Sequence, residues 1–468
     1  MIFVNNRHSS TRSLRQLTAL SIVLLLTALL LTALALPAAA EKRQLVIIHT
    51  NDFHGHIQQT DEYAGAARIA ALVNESRAQN PGVLVLNAGD SISGTPVSTL
   101  FNGLPIFEVL NKVGYNASAL GNHEFDHGYK QIKQFRRIAN YPLLSANALG
   151  PDGELIADDD SLVMQINGIR VGIIGLITDN TPNMIIPTGN ENLTFSAPEA
   201  TLRAQVEKLD PLVDLVIVLS HVGHEEERAL AAAVDNIDII VGGHSHTRVD
   251  PPVRINNTYV VQANHYGADV GYLNIEVDTT THSMSQFSGK LIRANDLPAP
   301  DPSVAALVNH WEQKVAKVVD HPIATAARDY TKEELQVFFE DLIAAETGAD
   351  FGFYNMGGIR DRIRQGTVTM RTIWQIEPFG NSMVTVTASG AVVKNMLTMD
   401  DEIHHRFSEV DDTQIYRVAT NGFVAAQLNR SAPGQITIQD SNELMRDVLI
   451  RLIKAAGIQI TSTTASQH

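Results

Sequence analysis

Cysteine is missing from all 468 residues. That absence excludes disulfides, thiolate metal sites, a cysteine nucleophile and a lipid-modified N-terminal cysteine together. Positive charge is also scarce. Lys and Arg number 35 against 51 Asp and Glu, a formal charge of −16, which becomes −19 once the first 40 residues are set aside, because they carry Arg7, Arg12 and Arg15 and no acid. Such a surface repels phosphate backbones, which argues against a nucleic-acid polymer or a broad anionic membrane face as partner. An anionic small molecule would have to be caught by local cations or by metal. Internal repeats and low-complexity runs are absent too.

With 44% hydrophobic and 18% charged residues the chain reads as globular, and its length calls for two domains. Residues 1–16 are basic, residues 17–36 are nearly all apolar, and Pro37-Ala38-Ala39-Ala40 ends in small residues before Glu41. This is the order of a secretory signal, so residues 1–40 are expected to be cleaved and the mature protein to be periplasmic or secreted. Left uncleaved, the apolar run is long enough to anchor the chain in a bilayer, which takes about 20 such residues.

The next pattern is a series of apolar segments that end in polar ligand types. Residues 44–48 read as a strand that empties into His49-Thr50-Asn51-Asp52-Phe53-His54-Gly55-His56, and after a helix over 64–77, residues 82–86 run into Asn87-Ala88-Gly89-Asp90. Residues 117–120 precede Gly121-Asn122-His123-Glu124-Phe125-Asp126. Residues 162–166 and 170–177 form a hairpin turned at Asn167-Gly168, with no ligand set. Residues 212–219 end in Ser220-His221-Val222-Gly223-His224, residues 237–241 in Gly242-Gly243-His244-Ser245-His246, and residues 258–262 and 271–277 close the domain as plain strands. Five strands thus finish in Asp, His or Asn, and parallel strands bring such ends to one edge. Oxygen and imidazole donors together suit Zn, Mn, Fe or Co better than an all-oxygen Mg or Ca cage.

These motifs, in this order, resemble the calcineurin-like metallophosphoesterases, and specifically the secreted 5′-nucleotidase and UDP-sugar hydrolase branch. The resemblance spans residues 41–295 nearly end to end and implies an α/β architecture: an N-terminal layered αββα domain, a linker helix within 296–323, and a C-terminal α/β substrate-binding domain over 324–468. It implies two divalent metal ions, Zn, Mn or Co. Asp52, His54 and His246 would hold one, Asn122, His221 and His244 the other, and Asp90 would bridge both; some relatives carry Gln where His246 stands. Two ions about 3.5–4 Å apart can acidify a shared water and neutralise charge in phosphoryl transfer. His123 resembles the residue that stabilises the phosphate or protonates the leaving group. A carboxylate at Asp126 would orient it and keep it charged, although Asp126 also reads as a helix N-cap. His49, His56, His127, His224 and His265 lie close enough in sequence to hydrogen-bond the ligands.

Past a stretch rich in Pro, Asp and Ala, Asp301-Pro302 opens an amphipathic helix to residue 319. In the second domain Asn355-Met356-Gly357-Gly358-Ile359-Arg360 resembles the family's substrate motif, with Asn355, Gly358 and Arg360 as contacts. Arg360 can fork onto phosphate oxygens. Glu377-Pro378-Phe379-Gly380-Asn381 matches a segment whose Phe stacks on a nucleobase, a contact of about 1–3 kcal/mol. Helices are expected over 332–347 and 441–456, and strands over 383–387 and 415–419. The chain departs from the family at two points. It lacks the Glu-x-x-x-Gly-Asn-Leu type stretch that opens this domain, and also the late Gly-Gly-Asp-aromatic turn that completes the base clamp. In place of that turn stands Asn421-Gly422-Phe423. The implied function is removal of phosphate from nucleoside 5′-monophosphates and also, in this branch, cleavage of UDP-sugars. Alternatives are the same metal chemistry on cyclic nucleotides, other phosphomonoesters or a thiosulfohydrolase-type sulfur ester, and, from another class, an inactive metal-binding scaffold. The oligomeric state is left open.

Overall fold

The computed structural model describes residues 41–396 and 410–458. The expected signal segment, 1–40, lies outside the described residues.

Fourteen strands build the N-terminal domain. In chain order they are β1 (Lys42–Thr50), β2 (Val83–Asn87), β3 (Ala117–Ala119), β4 (Leu143–Leu144), β5 (Ala148–Leu149), β6 (Ser161–Ile166), β7 (Ile169–Ile177) and β8 (Thr194–Phe195). They continue with β9 (Leu215–His221), β10 (Ile239–Val241), β11 (Val253–Ile255), β12 (Thr258–Val261), β13 (Asp269–Asp278) and β14 (Ser283–Arg293). One sheet runs β14-β13-β1-β2-β3-β4, a second runs β11-β12-β10-β9-β7-β6, and β5 pairs with β8 apart from both. Within the first sheet β1 to β4 are parallel, and within the second so are β7, β9, β10 and β12.

The continuous apolar runs follow from burial on both faces. Leu45, Ile47, Leu84 and Leu86 of one sheet pack against Val171, Ile173, Ile217 and Leu219 of the other, forming the core between them. Their neighbours Val46, Ile48, Val83 and Val85 face helices Gly65–Gln79 and Leu104–Val113, while Ile174, Val216 and Ile240 face helices Pro198–Leu209 and His224–Ala233. Helix, sheet, sheet, helix is therefore the layering. Each fully buried Ile or Leu contributes about 1.5–3 kcal/mol. At the hairpin Asn167 and Gly168 have φ of 50° and 81°, the paired positive values of a type I′ turn.

Asp301 caps helix Pro302–Val319, its side chain accepting from the backbone N–H groups of Ser303 and Val304. This helix packs onto the N-terminal domain through Val304 and Val308 and leads to the second domain. There a four-stranded sheet, of order β16 (Phe351–Gly352), β19 (Ile415–Asn421), β18 (Ser382–Ser389) and β20 (Thr437–Leu444), carries helices Lys332–Thr347 and Met445–Ala456 and, against Val384, Val386 and Val418, helix Gly422–Ser431. A short pair, β15 (Pro322–Ala326) and β17 (Gly366–Thr369), joins the linker to it.

Several local expectations change. Residues 437–444 are a strand, so the last helix begins at Met445 rather than 441, and residues 283–293 form an edge strand where none was expected. Asp126 is not a helix N-cap; it is the C-cap of the 3₁₀ turn Asn122–Phe125, and Gly128 precedes the next helix.

Candidate metal centre and substrate cavity

The C-terminal ends of β1, β2, β3, β9 and β10 meet at one rim, where the two sheets face each other. The chain turns sharply there. Asp52, His54, Asp90, His244 and His246 have φ of 50°, 47°, 52°, 73° and 55°. Non-glycine residues avoid this left-handed region, and strain of order 1–3 kcal/mol per residue persists where surrounding structure enforces it, chiefly at functional sites. Here it aims five side chains into one volume.

Two clusters result. His246 Nε2 lies 3.2 Å from His54 Nε2 and 3.3 Å from Asp52 Oδ1. His221 Nε2 lies 3.1 Å from Asp90 Oδ2, and His244 belongs to the same group. Asp90 Oδ2 is also 3.7 Å from His54 Nε2, so it stands between the two. The rings are preset: His54 Nδ1 donates to the Ser93 carbonyl at 3.0 Å and His221 Nδ1 to that of Ala88 at 2.7 Å, leaving each Nε2 lone pair turned inward. Asp52 and Asp90 are buried, and Asn122 Oδ1 is buried without a hydrogen-bond partner. Buried carboxylates and orphaned polar atoms cost several kcal/mol unless compensated. Divalent cations held by this donor set would supply the compensation, so the residues fit a metal centre. Burial works to raise the Asp90 carboxyl, but His221, His123 and His54 outweigh it and hold it well below the carboxylate range.

His123 lies in the same rim, its ring 4.9 Å from that of His54, and its Nδ1 donates to Asp126 Oδ2 at 2.8 Å. Burial lowers its proton affinity, but the Asp126 and Asp90 carboxylates more than offset this, for a net upward shift. His54, Asp90 and His123 also form a group compact enough to hold an ion.

Beside the centre opens a cavity of about 430 Å³ that both domains line. Asn122, His123 and Asp126 form one wall; Asn355, Gly358, Arg360 and Phe379 form the other. Arg360 reaches across to place Nη2 3.3 Å from His54 Nε2, and its guanidinium lies 5.8 Å from the Phe379 ring centre. That ring in turn lies 5.8 Å from His123, inclined 20°. Asn355 Oδ1 is engaged internally, accepting from Asn421 Nδ2 at 2.9 Å. Phe423, at the start of helix Gly422–Ser431, lines the same cavity, as does Arg446, which donates to the Phe379 carbonyl at 3.1 Å. A larger opening of about 620 Å³ lies at the N-terminal ends of β9, β10 and β12, near Asp238 and Phe287, and contains none of these residues.

Among the neighbouring histidines, His49 forms no side-chain bond to a ligand, and its two nitrogens are unpartnered. His56 bonds the Phe53 carbonyl, and His265 stacks on His246 at 4.7 Å. Support comes instead from residues the sequence reading left aside. Asn51 Nδ2 donates to Asp52 Oδ2 at 2.7 Å. Glu124, pushed up to about 7 by burial, accepts from the N–H groups of Gly121, Asp90 and Ser91 and ties the loops after β2 and β3 together. Glu227, pushed up to about 8 by burial, accepts from Gly243 N–H under the His244 turn. Three consecutive glutamates, 225–227, carry no sequence signal for which one is buried, whereas Glu124 lies inside the motif.

Residues 45–248 match the family model for calcineurin-like phosphoesterase and residues 314–407 that for the 5′-nucleotidase C-terminal domain. Protein UshA of Yersinia enterocolitica is 29% identical over 418 residues, covering 76% of this chain and 76% of that protein. The 5′-nucleotidase of Bos taurus is 30% identical over 413 residues, covering 76% and 71%. The crystal structure of a 5′-nucleotidase precursor from Thermus thermophilus superposes with a TM-score of 0.80 at 24% identity, over 88% of this chain and 96% of that one, and shares the fold.

Proposed function

The chain belongs to the 5′-nucleotidase family of calcineurin-like phosphoesterases, metal-dependent phosphoester hydrolases, and from that premise we propose how its residues divide the work on a nucleoside 5′-monophosphate. One observation carries the reading: two clusters of buried carboxylate and imidazole, joined through Asp90, border a cavity whose far wall offers Arg360 and Phe379.

Asp52, His54 and His246 would hold one divalent ion, Asn122, His221 and His244 the other, with Asp90 between them; Zn, Mn or Co would suit these donors. When bound, the ions would supply an acidified water and neutralise phosphoryl charge. His123, its Nδ1 fixed by Asp126, keeps Nε2 for the phosphate or the leaving oxygen, to which it gives its proton. Arg360 forks onto the phosphate oxygens, and Phe379 stacks on the base, with Phe423 across the same cavity. Residues 1–40 serve as an export signal, a role supported by their basic, apolar and small-residue order.

A substrate panel tests this. AMP, UMP, UDP-glucose, 2′,3′-cyclic AMP and p-nitrophenyl phosphate are assayed with Mn, Co, Zn and Mg, on exported protein whose N-terminus is sequenced. The expectation is orthophosphate release from AMP and UMP above that from the cyclic nucleotide, abolished by chelation, and a first residue of Glu41. Turnover of neither monophosphate, or turnover indifferent to chelation, refutes the catalytic assignment, and a first residue of Met1 refutes the cleaved signal.

A further inference from the structure

Arg446, the second residue of helix Met445–Ala456, belongs to no motif, yet it is only 7% exposed and lines the substrate cavity. Its Cζ lies 4.0 Å from the centre of the Trp374 ring, and its Nη1 donates to the carbonyls of Pro378 and Phe379 at 3.4 and 3.1 Å. Among the described residues it has no ion-pair partner, and its Nε is buried without an acceptor. Removing a charge from water without a carboxylate beside it costs several kcal/mol, and an aromatic face and two carbonyls offset only part of that. An apolar residue would fill the space with less penalty. What the guanidinium adds to packing is its grip on those two carbonyls.

The grip acts where little else holds the chain. Residues 377–381 link helix Met370–Ile376 to β18 and bring Phe379 into the cavity wall. Gly380 beside it is exposed, and a Cβ built there would meet nothing within 4 Å, so neighbouring atoms do not wedge the turn. The Phe379 ring is loosely surrounded too: the His123 ring and the Arg360 guanidinium each lie 5.8 Å from its centre. Its direction is therefore set by the backbone that bears it. Met445 N–H fixes the Asn381 carbonyl at 2.8 Å, and Thr99 Oγ1 of the other domain donates to the Pro378 carbonyl at 3.2 Å, a bond lost if the domains part. Among the described residues only Arg446 bonds the Phe379 carbonyl itself, and it does so from within the same domain.

We infer that Arg446 is a positioning residue for the base-stacking ring: it clamps the Pro378-Phe379 turn, so that a nucleobase meets an aromatic face already in place and loses less of its binding energy to ordering the turn. This rests on the role proposed above for Phe379.

The test uses the full-length, metal-loaded protein with Arg446→Met, Arg446→Lys, Phe379→Ala and the double variant of R446M with F379A, assayed on AMP and on ribose 5-phosphate, a phosphomonoester that has no base. R446M keeps an unbranched apolar stem and removes every donor. It is expected to raise KM for AMP about tenfold, the range of one charge-assisted hydrogen bond, with kcat within about threefold and KM for ribose 5-phosphate within about twofold. R446K keeps one donor group and should fall between R446M and the wild type; it carries the test should R446M not fold. In the double variant the arginine change adds nothing to F379A, because the two act through one ring. An equal rise for ribose 5-phosphate, an unchanged KM for AMP, or multiplicative losses in the double variant overturn the inference. Crystal structures of the Arg446 variants judge it apart from turnover. If the wild type hydrolyses no phosphomonoester, the proposed function fails, while a displaced Phe379 turn in those variants still supports the positioning role and an unmoved turn refutes it.

Discussion

At the scale of single residues, His123 carries the sharpest question, because its geometry permits two roles. It lies within a group with His54 and Asp90 that could hold an ion, yet its Nδ1 is occupied by Asp126 at 2.8 Å and its proton affinity is raised. A ligand to a divalent ion has to be unprotonated, whereas a proton donor benefits from the carboxylate beside it. Replacing His123 with Asn should therefore lower kcat by about 10²–10⁴-fold, with the metal content by elemental analysis equal to that of the wild type. A drop in bound metal would make His123 a ligand instead. The donors that cluster around Asp90 were legible as Asp, His and Asn at strand ends, because metal chemistry restricts donors to few side chains. Glu227 was not, since what marks it is a burial that arises only when distant loops meet.

At the scale of elements, the two sheets approach closely where β7 crosses β4. A Cβ built on Gly175 would stand 2.4 Å from the Leu144 carbonyl carbon, which is backbone and cannot yield. Three residues earlier on the same strand, Gly172 faces the outer helix, where a Cβ would meet Val213 Cγ1 at 3.3 Å. Gly175→Ala should destabilise the N-terminal domain by at least about 1–3 kcal/mol, and Gly172→Ala by less. Calorimetric Tm values measure both; equal shifts would mean that the sheets can part freely there. The buried strands β1, β2, β7 and β9 were readable as apolar runs. Their division into two facing sheets came only with the family resemblance, because both faces of each are apolar and periodicity cannot separate them. The strands 283–293 and 437–444 escaped for the opposite reason: as edge strands with mostly exposed polar side chains they lack an apolar signal.

At the scale of the whole molecule, the cavity belongs to neither domain alone, so its walls must part for substrate to enter unless the mouth suffices. Among the described residues the polar contacts across the seam are few and partly exposed: Glu62 with Arg362 and Arg364, Thr99 with the Pro378 carbonyl, Gln427 and Arg430 with the Asn183 carbonyl, and, at the cavity, Arg360 with His54. Such seams permit relative motion by default. Helix Pro302–Val319 is rooted in the first domain by Trp311, bonded to Glu108, and reaches the second through Glu312 and Asp320, which hold Arg371. A pivot at its end would swing Arg360 and Phe379 away from the rim together. Because the chain has no cysteine, a pair introduced by Asn183→Cys and Gln427→Cys can be joined by a cleavable bismaleimide without competing thiols. If exchange requires the pivot, joining the pair should reduce turnover of AMP more than about tenfold, and cleaving the linker should restore it. Undiminished turnover in the joined protein would mean that substrate passes through the mouth of a fixed cavity.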